Sequence, residues 1–331
     1  ELPVSVLCEE ICTIGEGQIR ALITSAGNPV LSTPNGQALD AALEKLDFML
    51  SIDIYINEST RHADLILPPA SFLTQDHYDS VFNAFAVRRV ARLSQPIRER
   101  ASDERADWEI INGIGAAFAK AIGKDWQSLP APKQMIAMGL ARGNSGLSMQ
   151  DLETAEHGID LGPLRPSLMQ RLETVSGKIE AAPDLLMQAL AALSNGNINA
   201  DQTALQLIGR RDIRSNNSWM HNSPRLVKGK ARHQLLMHKN DLQQRKLADG
   251  NTVRVRSESG EIFVEVKVCD DLMPGVVCLP HGFGHQKEGL KMQQAEKIRG
   301  ASYNDLTSHS ALDGPSGNAA LNGVRVWVTA V

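Results

Sequence analysis

The stretch Leu-Ile-Gly-Arg-Arg-Asp-Ile-Arg-Ser-Asn-Asn-Ser-Trp-Met-His-Asn occupies residues 207–222. Its apolar start, together with Leu205, predicts a buried strand that ends near Ile208. Gly209 then breaks the apolar pattern, and the next thirteen residues include three arginines, two serines, three asparagines and a histidine. Buried hydrogen-bonding groups need partners, and this segment contains many such groups. The segment therefore predicts a loop that leaves the strand end and contacts a ligand or solvent.

The side chains of this loop match one chemical class of ligand. Arg210, Arg211 and Arg214 present guanidinium forks that fit phosphate oxygens, and the asparagines and serines both donate and accept hydrogen bonds. The segment therefore predicts a site for a large, anionic, hydrogen-bonding molecule. The alternative is an ordinary surface loop in which Asp212 pairs with one of the arginines.

Composition limits the possible functions. A chain of 331 residues exceeds one average core, which predicts two domains. The net charge of -4, the pI near 6.2 and the 4% aromatic content disfavour a nucleic-acid binder, so the arginines form a local basic spot. No apolar run reaches the ~20 residues of a spanning helix, and no signal peptide is visible. Four cysteines without metal-ligand spacing are typical of a reduced, cytoplasmic protein.

The first 125 residues predict an α/β region. Ile19–Thr24 and Phe48–Ile54 are strand-like, and a helix is expected between them. Ligands of parallel sheets bind at the carboxyl ends of the strands. Gly27, Asn28 and Asp53 occupy those ends and are candidate binding residues, because a small-residue turn admits a phosphate and an aspartate accepts hydrogen bonds from a base or ribose.

Residues 103–200 predict helices. Asp103 is expected to cap a helix that ends near Gly123, with an apolar stripe facing the core. That stripe consists of Trp108, Ile111, Ile114, Phe118 and Ile122. Shorter helical pieces are expected to follow up to about residue 195, as a connecting segment.

After residue 200 the pattern changes to strands. Six are expected: Leu205–Ile208, Leu235–His238, Thr252–Arg256, Ile262–Val268, Val276–Leu279 and Val324–Val328. Six strands with one short helix predict a small closed barrel. The segment Pro280-His-Gly-Phe-Gly-His285 follows the fifth strand, and the glycines beside Phe283 would let a flat ligand approach the backbone.

Several stretches, in this order along the chain, carry a family resemblance. They are Gly27-Asn-Pro29, Ala63-Asp-Leu-Ile-Leu-Pro68, Ala106-Asp-Trp108, Ile208–Asn222, Leu247-Ala-Asp-Gly250, Val277–Gly284 and Asn304-Asp-Leu-Thr307. Together they resemble the molybdopterin oxidoreductases of the dimethyl sulfoxide reductase family, nearest the formate dehydrogenase and nitrate reductase branch. The resemblance covers nearly the whole chain.

The resemblance implies a fold class and a cofactor. Residues 1–125 would be an α/β dinucleotide-binding-like region, 126–200 a helical connecting segment, and 201–331 a six-stranded double-psi-like β-barrel. The chain would hold bis(molybdopterin guanine dinucleotide) with molybdenum or tungsten. The cofactor-binding residues implied are Gly27, Asn28, Asp53, Gln75, Asp107, Ile208, Gly209, Arg210, Arg211, Arg214, Ser215, Asn216, Asn217, Trp219, His221, His281, Phe283 and Asn304.

The sequence also departs from the family pattern. Family members carry a four-cysteine segment for a 4Fe-4S cluster and a residue that ligates the metal, and neither Cys8 nor Cys12 matches these. The resemblance therefore implies that both lie in missing N-terminal domains, on the same polypeptide or on a partner subunit. The absence of an initiating Met points the same way.

Two functions follow from these observations. The first is the C-terminal portion of a molybdopterin oxidoreductase that acts on a small-molecule substrate and is inactive as this chain alone. The alternative is a non-catalytic module or carrier that binds the cofactor. Neither requires nucleic acid or a membrane segment, and the sequence assigns no catalytic residue and no metal ligand.

Overall fold

A computed structural model describes residues 2–194, 201, 203–298 and 300–331. By contacts the chain forms two compact units, Glu1–Ile66 with Ala182–Val331, and Leu67–Ala181. The segment boundaries near residues 125 and 200 stay a prediction. The contacts group the chain differently, since the first α/β segment packs with the barrel rather than with the residues that follow it.

Both units of the described structure contain β-strands and α-helices. The strands are β1 (Ala21–Ser25), β2 (Phe48–Ile52), β3 (Leu65–Ile66), β4 (His77–Tyr78), β5 (Arg88–Ala91), β6 (Leu93–Ser94), β7 (Ile159–Pro163), β8 (Leu205–Arg210), β9 (Leu235–Met237), β10 (Thr252–Arg256), β11 (Glu261–Val268), β12 (Val276–Pro280) and β13 (Val324–Ala330). The helices are α1 (Leu7–Cys12), α2 (Pro29–Ser32), α3 (Gly36–Leu43), α4 (Asp107–Ala121), α5 (Pro132–Arg142), α6 (Met149–Thr154), α7 (Asp184–Ser194), α8 (Pro224–Val227) and α9 (Lys239–Gln244).

The last six strands close into a barrel in the order β10-β11-β9-β12-β8-β13. Alternate residues point inward, so β10 buries Val253 and Val255 while its other residues stay exposed. The parallel pairs are β8 with β12 and β9 with β11, and the other pairs are antiparallel. All six strands lie where the sequence predicts them, within two residues at each end, and the predicted fold class is confirmed.

The α/β segment adds a three-stranded parallel sheet in the order β1-β2-β3. Its helices pack around a core that includes Ile11, Leu39 and Met49. A 3-10 turn at Tyr303–Leu306 contacts α2 and α3, and Asn304 Nδ2 donates to the Leu31 carbonyl at 3.0 Å. The α/β segment, which has its own core, therefore packs against the barrel through this turn.

The unit Leu67–Ala181 contains two short antiparallel pairs, β4 with β6 and β5 with β7, and helices α4 to α6. The helix predicted from Asp103 begins at Asp107, where Glu109 Oε2 accepts the Ala106 N–H at 2.8 Å. The predicted apolar stripe is wrong as a core face. Ile110 and Ala119 are the buried residues of α4, whereas Phe118 is 66% exposed.

Within the part of the chain that the structure describes, none of the helices has the length and apolar character needed to cross a membrane.

Two loops meet at one end of the barrel. Gly282 follows β12 with a φ of +87°, and a Cβ at this position would lie 2.3 Å from the carbonyl oxygen of Asn217, which belongs to the loop after β8. Only glycine fits so close a backbone contact. The backbones of the loops after β8 and β12 are therefore in direct contact.

We expect Gly282→Ala to destabilise the protein more than Gly250→Ala. Gly250 has a similar φ of +84° but open space around its Cβ position, so it carries the backbone strain without the clash. Overpacking costs about 1–3 kcal/mol, which should appear as the difference between the two variants in denaturant unfolding. Equal losses of stability would contradict the packing described.

Candidate functional site

The candidate site lies at the barrel end where β8 and β12 finish. The two strands run parallel with Arg210 opposite Pro280, so their following segments leave the barrel side by side. We name residues 211–222 the arginine loop and residues 281–285 the histidine loop. The His281 N–H donates to the Arg210 carbonyl at 3.3 Å, which extends the strand pairing into the loops.

The arginines of this region differ in their surroundings. Arg210 donates from Nη2 to the carbonyl of Arg232 at 3.0 Å, and Arg232 Nη1 lies 3.6 Å from Asp212 Oδ1. Asp212 is thus occupied by an arginine from outside the loop. Among the described residues, the exposed guanidinium groups of Arg211 and Arg214 have no carboxylate within salt-bridge distance. These two cations are the ones left to meet an anion.

The middle of the arginine loop is a compact turn. The buried Ser215 hydroxyl donates to the Asp212 carbonyl at 3.0 Å, and the Arg214 N–H donates to Asp212 Oδ1 at 2.8 Å. Asn216 and Asn217 adopt left-handed backbone conformations, with φ of 41° and 61°. Asparagine tolerates this conformation better than most residues, so the sequence suits the turn.

Trp219 is exposed within the arginine loop, as is the neighbouring Met220. At the strand end, Ile208 is half-buried, and the Gly209 N–H donates to Asn322 Oδ1 at 2.7 Å. Backbone groups of β8 are therefore satisfied within the protein.

His281 offers an open hydrogen-bonding position. Its Nε2 is buried and has no partner among the described residues. Burial lowers the pKa of His281 below its ordinary value, and the nearby charge of Arg211 lowers it further, so the ring is neutral at neutral pH. An unpaired buried nitrogen costs about 1–3 kcal/mol, which favours a ligand or water at this atom.

Phe283 lies inside the protein. Its ring is buried between His221 and His233, with ring centroids 4.5 Å and 4.8 Å away. Burial lowers the pKa of both histidines to about 4, so they pack as neutral rings. The structure gives Phe283 a packing role, and its predicted ligand contact stays a prediction.

Two candidate asparagines, Asn28 and Asn304, form hydrogen bonds within the protein. Asn28 Nδ2 donates to Glu58 Oε2, and Asn28 Oδ1 accepts from Ser59 Oγ, each at 2.7 Å. Asn304 is buried and donates to the Leu31 carbonyl. The amide groups of both asparagines thus already have protein partners, which favours a structural role for each.

Asp53 and Gly27 lie at strand ends, as the sequence predicts. Asp53 Oδ1 accepts the Ile54 N–H at 2.7 Å and Oδ2 accepts from Asn57 at 3.1 Å, while burial raises the pKa of the carboxyl group. Gly27 is half-buried, and a Cβ at this position would meet only the Ser25 carbonyl oxygen, at 3.7 Å. Both can face a ligand beyond the sheet edge.

Gln75 and Asp107 belong to the unit Leu67–Ala181. Gln75 Nε2 donates to the Ala70 carbonyl at 3.0 Å, and Asp107 is the half-buried first residue of α4. Their positions are described only within that unit, and their contacts with a cofactor stay a prediction.

Sequence reasoning missed two buried groups, Glu58 and His285. Glu58 Oε1 lies 2.7 Å from His285 Nδ1, although the two residues are 227 positions apart. The available signals were an acidic residue just beyond β2 and the second histidine of Pro280–His285. Neither signal indicates its partner.

Two family models match the chain. A molydopterin dinucleotide binding domain matches residues 205–325, the barrel with both loops, and a molybdopterin oxidoreductase model matches residues 2–117. The two matched ranges contain the α/β segment and the barrel, in the order in which these follow one another along the chain.

Curated relatives and a solved structure agree with these matches. The chain is 32% identical over 107 residues to the assimilatory nitrate reductase catalytic subunit of Bacillus subtilis, which is 32% of this chain and 14% of that protein. It is 24% identical over 281 residues to the menaquinone reductase, molybdopterin-binding-like subunit, of Nitratidesulfovibrio vulgaris, covering 80% of this chain and 36% of that protein.

The fold matches that of acetylene hydratase from Pelobacter acetylenicus, with a TM-score of 0.74 and 17% identity over 98% of this chain and 46% of that one. The chain therefore spans less than half the length of these relatives. Given the barrel, its paired loops and the two matching family models, the chain belongs to the molybdopterin oxidoreductase family.

Proposed function

We propose that this chain is the C-terminal cofactor-binding portion of a formate dehydrogenase-like oxidoreductase and holds bis(molybdopterin guanine dinucleotide). One observation supports the proposal above the rest. Within a barrel that matches a dinucleotide-binding domain, Arg211 and Arg214 have no carboxylate partner among the described residues, and they lie at the same end as His281 Nε2, which has no hydrogen-bond partner there. Two cations and an open polar nitrogen form a donor set that fits a phosphate-bearing ligand.

Energetics separate this site from an ordinary surface loop. An exposed ion pair contributes about 0–1 kcal/mol, whereas a hydrogen bond to a charged group contributes about 1.5–3 kcal/mol. Since Asp212 already pairs with Arg232, the surface-pair alternative does not account for Arg211 and Arg214. A bound anion satisfies both.

The positions of these side chains support a proposed division of roles. Arg211, Arg214 and His281 would bind phosphate or pterin oxygens, Asn216 and Trp219 would lie beside them, and Asp53 with Gly27 would face guanosine. When bound, the molybdenum or tungsten cofactor supplies the redox chemistry, and the protein supplies binding and orientation. No residue of this chain is proposed as a metal ligand.

The rest of the machinery is proposed to lie outside this chain. Since the chain spans less than half of the relatives' length, further domains of the same polypeptide or a partner subunit would supply the metal ligand and a 4Fe-4S cluster. We propose a cytoplasmic location from the four free cysteines alone.

A second function is favoured by one comparison. The Nitratidesulfovibrio relative, named a molybdopterin-binding-like subunit, matches 80% of this chain. A non-catalytic binding module is therefore the alternative. Formate oxidation or nitrate reduction by the full-length protein, loaded with cofactor, separates the two.

We expect Arg211→Ala or Arg214→Ala, in the full-length protein, to lower cofactor affinity about tenfold or more, since roughly 1.4 kcal/mol is a factor of ten. Arg→Lys at the same position should restore little, because an ammonium cannot replace a bidentate fork. Molybdenum and guanine content after purification measure the effect.

Arg254→Ala is the matched control. Arg254 is exposed on the outer face of β10 and lies 3.9 Å from Glu261, so its loss removes one positive charge from the barrel without touching either loop. If both arginine-loop variants retain the cofactor as well as the control does, the arginine loop is not the binding site.

We expect His281→Phe to separate binding from stability. Without cofactor the substitution removes an unpaired buried nitrogen, so denaturant unfolding should show no loss of stability, within about 0.5 kcal/mol. With cofactor present, bound pterin should fall. A variant that is less stable without cofactor, or one that keeps its full pterin content when cofactor is present, would contradict the role given to Nε2.

A further inference from the structure

A chain of buried polar groups connects the α/β segment to the arginine loop. Asn28 Nδ2 donates to Glu58 Oε2 at 2.7 Å, Glu58 Oε1 meets His285 Nδ1 at 2.7 Å, and His285 Nε2 meets His221 Nδ1 at 2.8 Å. Glu58, His285 and His221 are 0%, 1% and 3% exposed. Buried ionisable groups are costly unless paired, so their alignment is a specific feature of the fold.

The hydrogen bonds define where the protons lie. Both oxygens of Glu58 accept hydrogen bonds. Although burial alone would raise the pKa of Glu58, the bonds from His285 and Asn28 hold that pKa below its ordinary value, so Glu58 is a carboxylate. Because a carboxylate only accepts, His285 must carry a proton on Nδ1.

The protonation state of His221 matters as well, because this ring bonds to the other nitrogen of His285. Burial, and then the charge of His285, lower the pKa of His221 to about 4, so the ring is neutral with one N–H. Because His285 Nε2 lies 2.8 Å from His221 Nδ1, one proton lies between these two nitrogens. The Glu58 carboxylate, which holds the other His285 proton on Nδ1, therefore aligns both rings.

We infer that Glu58 is a positioning residue, which acts through His285 to hold the His221 ring in place and thereby the shape of the arginine and histidine loops. His221 lies near the end of the arginine loop, and its ring packs against Phe283 of the histidine loop at a centroid distance of 4.5 Å. Loss of the Glu58 charge would therefore reach the segment that carries Arg211 and His281. Its effect on ligand binding rests on the proposed function, whereas its effect on the loops does not.

The first test uses the unaltered full-length protein. Nitrogen-15 spectra of its imidazoles at neutral pH should show a proton on His285 Nδ1, in the bond to Glu58, and one proton in the bond between His285 Nε2 and His221 Nδ1. A His285 without a proton on Nδ1 would overturn the inference. This measurement decides the question even if variants at position 58 do not fold.

The second test compares Glu58→Gln with Glu44→Gln, an exposed carboxylate of the same α/β segment. Glu58→Gln should change the His221 and His285 nitrogen shifts, and amide exchange in residues 211–222 should become about tenfold faster or more, the size expected when a charge-assisted hydrogen bond is lost. Exchange in β10 and β11 should stay unchanged. Glu44→Gln should change none of these.

Two outcomes keep this inference apart from the proposed function. If no form of the protein binds the pterin cofactor but the shifts and loop exchange respond to Glu58→Gln, the proposed function fails and the inference stands. If Glu58→Gln folds and leaves the nitrogen shifts and loop exchange as in the unaltered protein, the inference fails, whatever the cofactor content.

Discussion

The parallel pairing of β8 with β12 is the constraint on which the site depends. Leu205, Leu207, Val277 and Leu279 on these strands are essentially inaccessible to solvent. Burial of each such side chain contributes about 1.5–3 kcal/mol, so the register is strongly specified. That register sets Arg210 opposite Pro280 and brings two loops, far apart in sequence, to one end of the barrel.

A second constraint joins the α/β segment to that end. Asp40 of α3 accepts hydrogen bonds from Arg61, His62 and Lys287, and these bonds hold its pKa below the ordinary value despite burial. Together with the Glu58–His285 contact, the Asp40–Lys287 bond ties the first 66 residues to the segment after β12. The geometry of the loops is thus a property of the whole unit and not of the barrel alone.

The sequence was most informative where the spacing of apolar residues along the chain determines which side chains are buried. The barrel strands were predicted well because alternation of apolar residues directly reports which face is buried, and Thr252–Arg256 agrees residue for residue. The stripe on α4 was predicted wrongly, because helical period shows that a face is apolar but not that anything covers it. The cofactor was predicted from the family resemblance, because the spacing of apolar residues indicates secondary structure and does not identify a ligand.

The polar connections lay beyond sequence reasoning for a different reason. Glu58 and His285 are separated by 227 positions, and nothing local in either segment specifies the other. For the same reason the internal partners of Asn28 and Asn304 were not predicted, since an amide in a turn carries no sign of the protein group that will bond to it. The ligand contacts of both residues stay a prediction. Such pairings are set by tertiary structure.

The central claim is that this barrel end holds a guanine dinucleotide form of the pterin cofactor. The most direct measurement is the metal and nucleotide content of the full-length protein, purified anaerobically from its native source. The account predicts molybdenum or tungsten together with about two guanine nucleotides per metal, released with pterin on acid treatment. A correctly folded native protein that contains neither pterin nor guanine nucleotide would contradict it.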